Sequence, residues 1–176
     1  MKTKTSKYSS FEEGLDAIRR RWKHGDFVQA LKEADRLLKR WPDNPRLLVM
    51  RASLIQLQES NQAPPLENAK KDLQRAVQLD DQSPFNLIEL GHFQLAVEDD
   101  CQAARKTFDK AVRLCRSSLK EALLGQAEAL SELNRRSEAL ALLAEAFFIH
   151  SRNGESSADS NGKEILERLD ALKSSD

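Results

Sequence analysis

The chain has 176 residues, which suffices for one ordinary domain or one short array of repeats. Lys and Arg number 28, as do Asp and Glu, so the net charge is zero and no basic excess favours wholesale binding to nucleic acid or an anionic membrane. The charge is nevertheless uneven, at +5 over residues 1–60 and −4 over residues 117–176. This distribution indicates either ordinary surface scatter or a bipolar rod whose basic end attracts an acidic partner or the acidic end of another copy.

The start of the chain, residues 1–9, is predicted to be flexible. It has no apolar core of the kind found in secretory signals, and no window of the sequence approaches the ~20 apolar residues that cross a bilayer. We therefore expect a cytoplasmic location. Cys101 and Cys115 lie in one predicted helix, where a rise of about 1.5 Å per residue separates them by ~21 Å, so both are expected to be free thiols.

Signals for the start and the end of helices predict nine helices in chain order. Capping-box spacing precedes three of them, at Ser10, Ser118 and Asn161. Proline at a first helical position marks others, because the missing N–H is harmless there. The nine helices are predicted to begin at or near Ser10, Phe27, Asn44, Pro65, Ser83, Cys101, Ser118, Asn134 and Asn161.

Small and apolar residues recur every 35 positions along the chain. In each unit they lie at offsets 0, 4, 7 and 10, which is the spacing of one face of an α-helix. The recurring residues are Ala69, Ala104 and Ala139; Leu73, Phe108 and Leu143; Ala76, Ala111 and Ala146; and Leu79, Leu114 and Ile149. A period in this range is typical of stacked helical repeats.

These paired helices resemble the tetratricopeptide repeat (TPR), a helix–turn–helix of about 34 residues. The residues that carry the resemblance are Gly25, Phe27, Ala30 and Pro42; Ala52, Ala69, Leu73 and Ala76; Leu90, Gly91, Ala104, Phe108 and Ala111; and Ala127, Ala139, Leu143 and Ala146. The resemblance covers about residues 10–150. It implies an all-α, right-handed solenoid of four TPR-like helix pairs, closed by a C-terminal helix.

The predicted solenoid domain spans residues 10–150. Its four repeats are predicted to span approximately residues 10–43, 44–82, 83–117 and 118–150. A flexible loop at 151–162 and a capping helix at 163–173 are expected to follow. The second repeat has a lengthened turn over Glu59–Pro65, which is either a tolerated insertion or a contact loop at one rim.

Chemical motifs are absent from the sequence. His24, His92 and His150 lie in different predicted repeats without a recurring ligand pattern, which favours isolated histidines over a metal site. There is no glycine-rich phosphate loop and no Ser, His and Asp set that suggests a nucleophile. We therefore expect no catalytic residues, cofactor or metal. The run Arg19-Arg20-Arg21 is either a solvated helix face or a contact for an acidic ligand.

By resemblance to TPR arrays, the first helices of the repeats would line a concave groove that holds a peptide or helix of a partner. The groove residues assigned in this way are Asp16, Arg20, Lys23, Arg46, Val49, Ser53, Gln56, Phe85, Ile88, His92, Leu95, Glu121, Leu124, Glu128 and Ser131. One branch of the family clamps a chaperone's C-terminal carboxylate with Lys, Asn, Asn, Lys and Arg. The corresponding residues here are Asp16, Arg20, Met50, Phe85 and Glu89, so that partner class is disfavoured.

The sequence thus predicts a non-enzymatic scaffold or adaptor that binds another protein and is monomeric alone. The alternative is a dedicated secretion or assembly chaperone, since class II chaperones of type III secretion are similar in size and repeat content. An enzyme is the third and least favoured hypothesis.

Overall fold

A computed structural model describes residues 10–58, 63–153 and 160–173 of the chain. Within these ranges there are eight α-helices and no strand, which confirms the all-α class. The helices are α1 (Phe11–Lys23), α2 (Phe27–Leu38), α3 (Pro45–Gln56), α4 (Leu66–Leu79), α5 (Pro84–Ala96), α6 (Cys101–Glu132), α7 (Arg136–Arg152) and α8 (Ser160–Lys173).

Short polar side chains begin three helices where the sequence predicts it. Ser10 accepts a hydrogen bond from the Glu13 N–H at 3.2 Å, and Asn44 accepts one from the Leu47 N–H at 3.0 Å. Ser83 caps α5 in the same way, with a proline next to it at the first helical position. Each side chain satisfies a backbone donor that has no partner inside the helix.

The predicted break between a sixth and a seventh helix is wrong, because α6 is one continuous helix of 32 residues. The repeat period aligns Ser118 and Leu119 with Ser83 and Pro84. Pro84 disfavours helical backbone at the residue before it, whereas Leu119 imposes no such restriction. Ser118 therefore remains inside a helix that continues through it, rather than acting as a cap.

The capping box predicted at Asn161 is also wrong, since α8 already begins at Ser160. The preceding helix, α7, extends to Arg152 and therefore enters the segment predicted as a loop over residues 151–162. Residues 154–159 of that segment, the N-terminal residues 1–9 and most of the predicted insertion (59–62) lie outside the described residues.

The chain divides into two compact units, Met1–Phe108 and Asp109–Asp176, and α6 belongs to both. In the first unit consecutive helices pack against each other from α1 through α5, and α3 also contacts α5. Each of these helices thus packs against its neighbours in the chain, and α3 and α5 are in contact although they are not consecutive. This is the nearest-neighbour packing of a helical repeat.

The recurring alanines lie at the centre of this packing. Ala69 and Ala76 are fully buried in the core of the first unit. Ala139 and Ala146 are fully buried in the second unit, where α7 also packs against α8. Small side chains allow neighbouring helices to approach closely. The residues that recur every 35 positions therefore lie where the helices contact each other.

Left-handed backbone occurs in three of the described turns. Gly25 precedes α2 with φ 74°, Asp99 precedes α6 with φ 53°, and Asn134 precedes α7 with φ 59°. Asp99 and Asn134 are 35 residues apart, so the period found in the side chains is repeated in the backbone. Gly, Asn and Asp are the residues that tolerate this conformation best.

Candidate functional site

A cavity of about 360 Å³ opens on the first unit, lined by side chains of α1, α3 and α5. We call it the α1–α3–α5 groove. Its lining residues are Arg19, Trp22, Arg46, Val49, Met50, Ser53, Phe85 and Glu89. It lies on the first helices of the first three predicted helix pairs.

The stripe on α3 forms the central part of the groove. Its four residues, Arg46, Val49, Met50 and Ser53, follow the i, i+3, i+4, i+7 spacing that places side chains on one helix face. The Ser53 hydroxyl donates to the Val49 carbonyl at 3.1 Å, so this polar group is satisfied within its own helix. The α3 stripe therefore presents an apolar centre with a cationic residue at its N-terminal end.

The apolar part of the groove is open to solvent at α5. Val49 is buried, and Trp22 and Met50 are half-buried, but the side chain of Phe85 is 54% exposed. Trp22 is held in place by an edge contact with the ring of Phe27, with centroids 6.5 Å apart. An exposed aromatic ring beside partly buried apolar side chains is the composition expected of a binding pocket.

The charged side chains of the groove comprise two arginines and one carboxylate. Arg19 pairs with Asp16 at 2.9 Å, on a part of α1 where both side chains are largely exposed. Arg46 is exposed and makes no ion pair with the described residues, and Glu89 is half-buried. The lining therefore carries an excess of one positive charge.

Four of the predicted groove residues line this cavity, namely Arg46, Val49, Ser53 and Phe85. On α1 the lining residues are Arg19 and Trp22, each one position before the predicted Arg20 and Lys23, which are exposed. In the sequence, Trp22 precedes Gly25 by only three residues, a short spacing that leaves the register of the first repeat open by one position. Met50 and Glu89, which correspond to clamp positions of the family but were not predicted to line the groove, also line it.

Other predicted residues of the first unit lie outside this lining. Gln56 donates to the Ala52 carbonyl at 3.2 Å, and Ile88 is half-buried on α5. His92 contacts the Phe108 ring edge-on, with centroids 5.1 Å apart, while Leu95 is 45% exposed. The predicted stripe on α5 thus continues along the helix beyond the cavity.

In the second unit the predicted residues lie beside α8. Glu121, Leu124 and Glu128 line a cavity of about 280 Å³ together with residues of α8 that include Glu164 and Arg168. Ser131 lines a neighbouring cavity of about 370 Å³, also with α8. The terminal helix therefore borders the face of α6 that was predicted to line an open groove.

A charged cluster holds α2, α3 and α4 together. Arg51 donates to Asp35 at 2.7 Å through Nε and to Asp72 at 2.6 Å through Nη1. Burial raises the pKa of Asp72, against the opposing effect of the Arg51 charge. Burial alone would lower the pKa of Arg51, but its hydrogen bond to Asp35 and its two carboxylate neighbours raise it overall. Both arginine bonds are made within the chain, which indicates a structural role.

Among the described residues, no group of three or more His, Cys, Asp or Glu side chains is arranged to hold a metal ion. His24 is exposed, and His150 is fully buried with its Nδ1 3.4 Å from the Lys120 Nζ. Both cysteines are free thiols, as predicted. No helix in the described ranges combines the length and apolarity that crossing a membrane requires.

No family model matches the sequence, and no curated protein matches it either. Among solved structures, one described as the crystal structure of MamA protein matches with a TM-score of 0.49 and 19% sequence identity. The match covers 92% of this chain and 87% of the other. In the first unit, consecutive helices pack against each other as in a helical repeat.

Proposed function

We propose that the chain is a non-enzymatic scaffold, of the TPR type, that binds a segment of another protein in the α1–α3–α5 groove. The observation that carries the proposal is the half-exposed ring of Phe85 beside the partly buried Trp22 and Met50. An aromatic ring left in water at a concave surface is stabilised when a partner covers it. The protein acts as a monomer that presents a preformed surface to an extended or helical segment.

The position of Phe85 supports a pocket that exists before the partner binds. It is the second residue of α5, directly after the capping Ser83 and Pro84, so its backbone is fixed by the start of the helix. Arg46 has the equivalent position on α3, after Asn44 and Pro45. Binding at preformed helix ends costs less conformational entropy than ordering a loop.

Capture of partners by paired variants tests this proposal. Phe85→Asp removes the exposed ring, and Val28→Asp is the matched control, since Val28 is also the second residue of its helix and is 47% exposed. Tagged wild type and both variants are incubated with lysate of the source organism, and bound proteins are quantified by mass spectrometry.

We expect at least one protein that wild type and Val28→Asp enrich equally and that Phe85→Asp loses by about tenfold, because a buried aromatic anchor commonly contributes more than 1 kcal/mol. Circular dichroism confirms that both variants remain helical. If every enriched protein is retained by Phe85→Asp, the groove is not the binding surface and the proposal fails.

A further inference from the structure

We infer that the α1–α3–α5 groove selects a partner segment in which one bulky apolar side chain lies next to carboxylates. This inference rests on the proposed function and specifies the chemistry of its partner. It follows from two properties of the same lining, the open apolar centre and the unequal charges around it.

The apolar centre accommodates a single anchoring side chain. The cavity of about 360 Å³ is at the small end of the range for binding pockets. Its apolar surface comes from Trp22, Val49, Met50 and Phe85, of which Phe85 is the most exposed. A leucine or phenylalanine of the partner would cover this surface, whereas a polar side chain would lose its hydration there without a matching donor.

The charge around this centre favours carboxylates. Arg46 has no ion-pair partner among the described residues, and Arg19 has only the exposed Asp16. On the adjoining surface of α1, Arg20 and Lys23 are exposed and form none of the ion pairs within the described ranges. Guanidinium groups bind carboxylates through paired hydrogen bonds, so the carboxylates of an acidic segment can form ion pairs with the arginines of α1 and α3.

The two sides of the groove also differ in charge. Glu89 contributes a negative charge from α5, opposite in sign to the arginines that α1 and α3 contribute. A carboxylate of the partner is therefore attracted towards α1 and α3 and repelled from α5. This arrangement would fix the direction in which the segment lies, which is the usual contribution of charge to recognition.

Four fluorescein-labelled peptides of 12 residues provide the test. The first contains one leucine preceded by three glutamates; the others replace the leucine by alanine, the glutamates by glutamines, or the glutamates by lysines. Fluorescence anisotropy measures their affinities for the full chain at 0.05 M and 0.3 M salt. Amide chemical shifts of ¹⁵N-labelled protein identify the site.

We expect the acidic leucine peptide to bind most tightly, to weaken at the higher salt, and to shift amides of the groove. Replacing its leucine or its glutamates should each weaken binding at least about fivefold. Arg46→Glu should weaken the acidic peptide about tenfold and leave the lysine peptide no weaker. Lys32→Glu, the same charge change on the exposed face of α2, should alter affinity by less than about twofold.

Several outcomes would overturn the inference. If the glutamine or lysine peptide binds as tightly as the acidic one, or if Arg46→Glu has the effect of Lys32→Glu, the groove does not select carboxylates. If the alanine peptide binds as tightly, or a heparin fragment displaces the peptide equally from wild type and Arg46→Glu, binding is general attraction of polyanions. In these cases loss of the captured partner by Phe85→Asp would still support the proposed function, so the two failures are distinguishable.

Discussion

The ring of Phe108 occupies the space into which a side chain at position 91 would extend. A Cβ atom on Gly91 would lie 2.8 Å from Cε1 of that ring, well inside van der Waals contact. The same ring contacts His92 edge-on. Gly91 therefore allows α5 to pack against the N-terminal part of α6. Its backbone is ordinary helix, so the close contact with Phe108, and not the backbone conformation, requires glycine at this position.

Gly91→Ala should destabilise the protein by about 1–3 kcal/mol, because an aromatic ring in a packed site has to move. Gly125→Ala is the matched control, since Gly125 also lies inside a helix but has no atom within 4 Å of a new Cβ. The control should gain about 0.5–1 kcal/mol from helix propensity. Urea unfolding measures both. Equal stability of the two variants would contradict the contact.

The continuity of α6 predicts a difference between two proline substitutions on its exposed surface. Leu119→Pro recreates the Ser-Pro sequence that begins α5, with Ser118 and Glu121 available to cap a new helix. Ala122→Pro interrupts the helix without a cap and should cost about 3 kcal/mol or more. We expect Leu119→Pro to cost about 1–2 kcal/mol less, as measured by urea unfolding. Equal losses would show that Ser118 has no capping capacity.

The terminal helix contributes to the core of the second unit. Ile165 is almost fully buried, and Leu169 and Leu172 pack with Ala127, Ala139 and Leu143. Ile165→Ala should therefore lower the free energy of unfolding of the second unit by about 2–5 kcal/mol.

Leu166→Ala is the control for this change, because Leu166 is 38% exposed on the same helix, and it should cost about 1 kcal/mol or less. Thermal unfolding followed by circular dichroism compares the two variants. A small effect at both positions would mean that α8 is only loosely attached.

Asp72 gives the stability a defined dependence on pH. Burial raises its pKa in the folded protein, so between the ordinary value of about 3.9 and the raised value the folded state binds more protons than the unfolded state. The contribution of Asp72 to stability is therefore fully present below the ordinary pKa and is lost as the pH rises through the raised one. The difference in unfolding free energy between wild type and Asp72→Asn should fall across this window.

The arginine beside it controls the position of the window. Arg51→Met removes the charge that opposes the effect of burial on the pKa of Asp72. In chains that carry Arg51→Met, the difference in unfolding free energy between Asp72 and Asp72→Asn should therefore fall at a higher pH. Urea unfolding at a series of pH values measures both differences. A difference that is constant with pH would contradict the raised pKa.

Much of the fold follows from local sequence signals, whereas the site depends on packing. The caps at Ser10, Asn44 and Ser83 and the buried alanines follow from residue type and spacing alone. The break at Ser118 was wrongly predicted because a capping residue permits a helix to begin but does not force the previous one to end. Which face of α1 borders the groove is set by its contacts with other helices, so Arg19 and Trp22 line it in place of Arg20 and Lys23.

The left-handed turns have a consequence for how the repeats diverge. Gly25, Asp99 and Asn134 differ chemically but share a positive φ before the second helix of a pair. Selection at such a position acts on the sign of a backbone angle, so it accepts exchange among glycine, asparagine and aspartate and rejects β-branched residues. Homologous chains should therefore vary among these three residue types at all three turns. The buried positions that follow the turns, Ala30, Ala104 and Ala139, should keep small side chains.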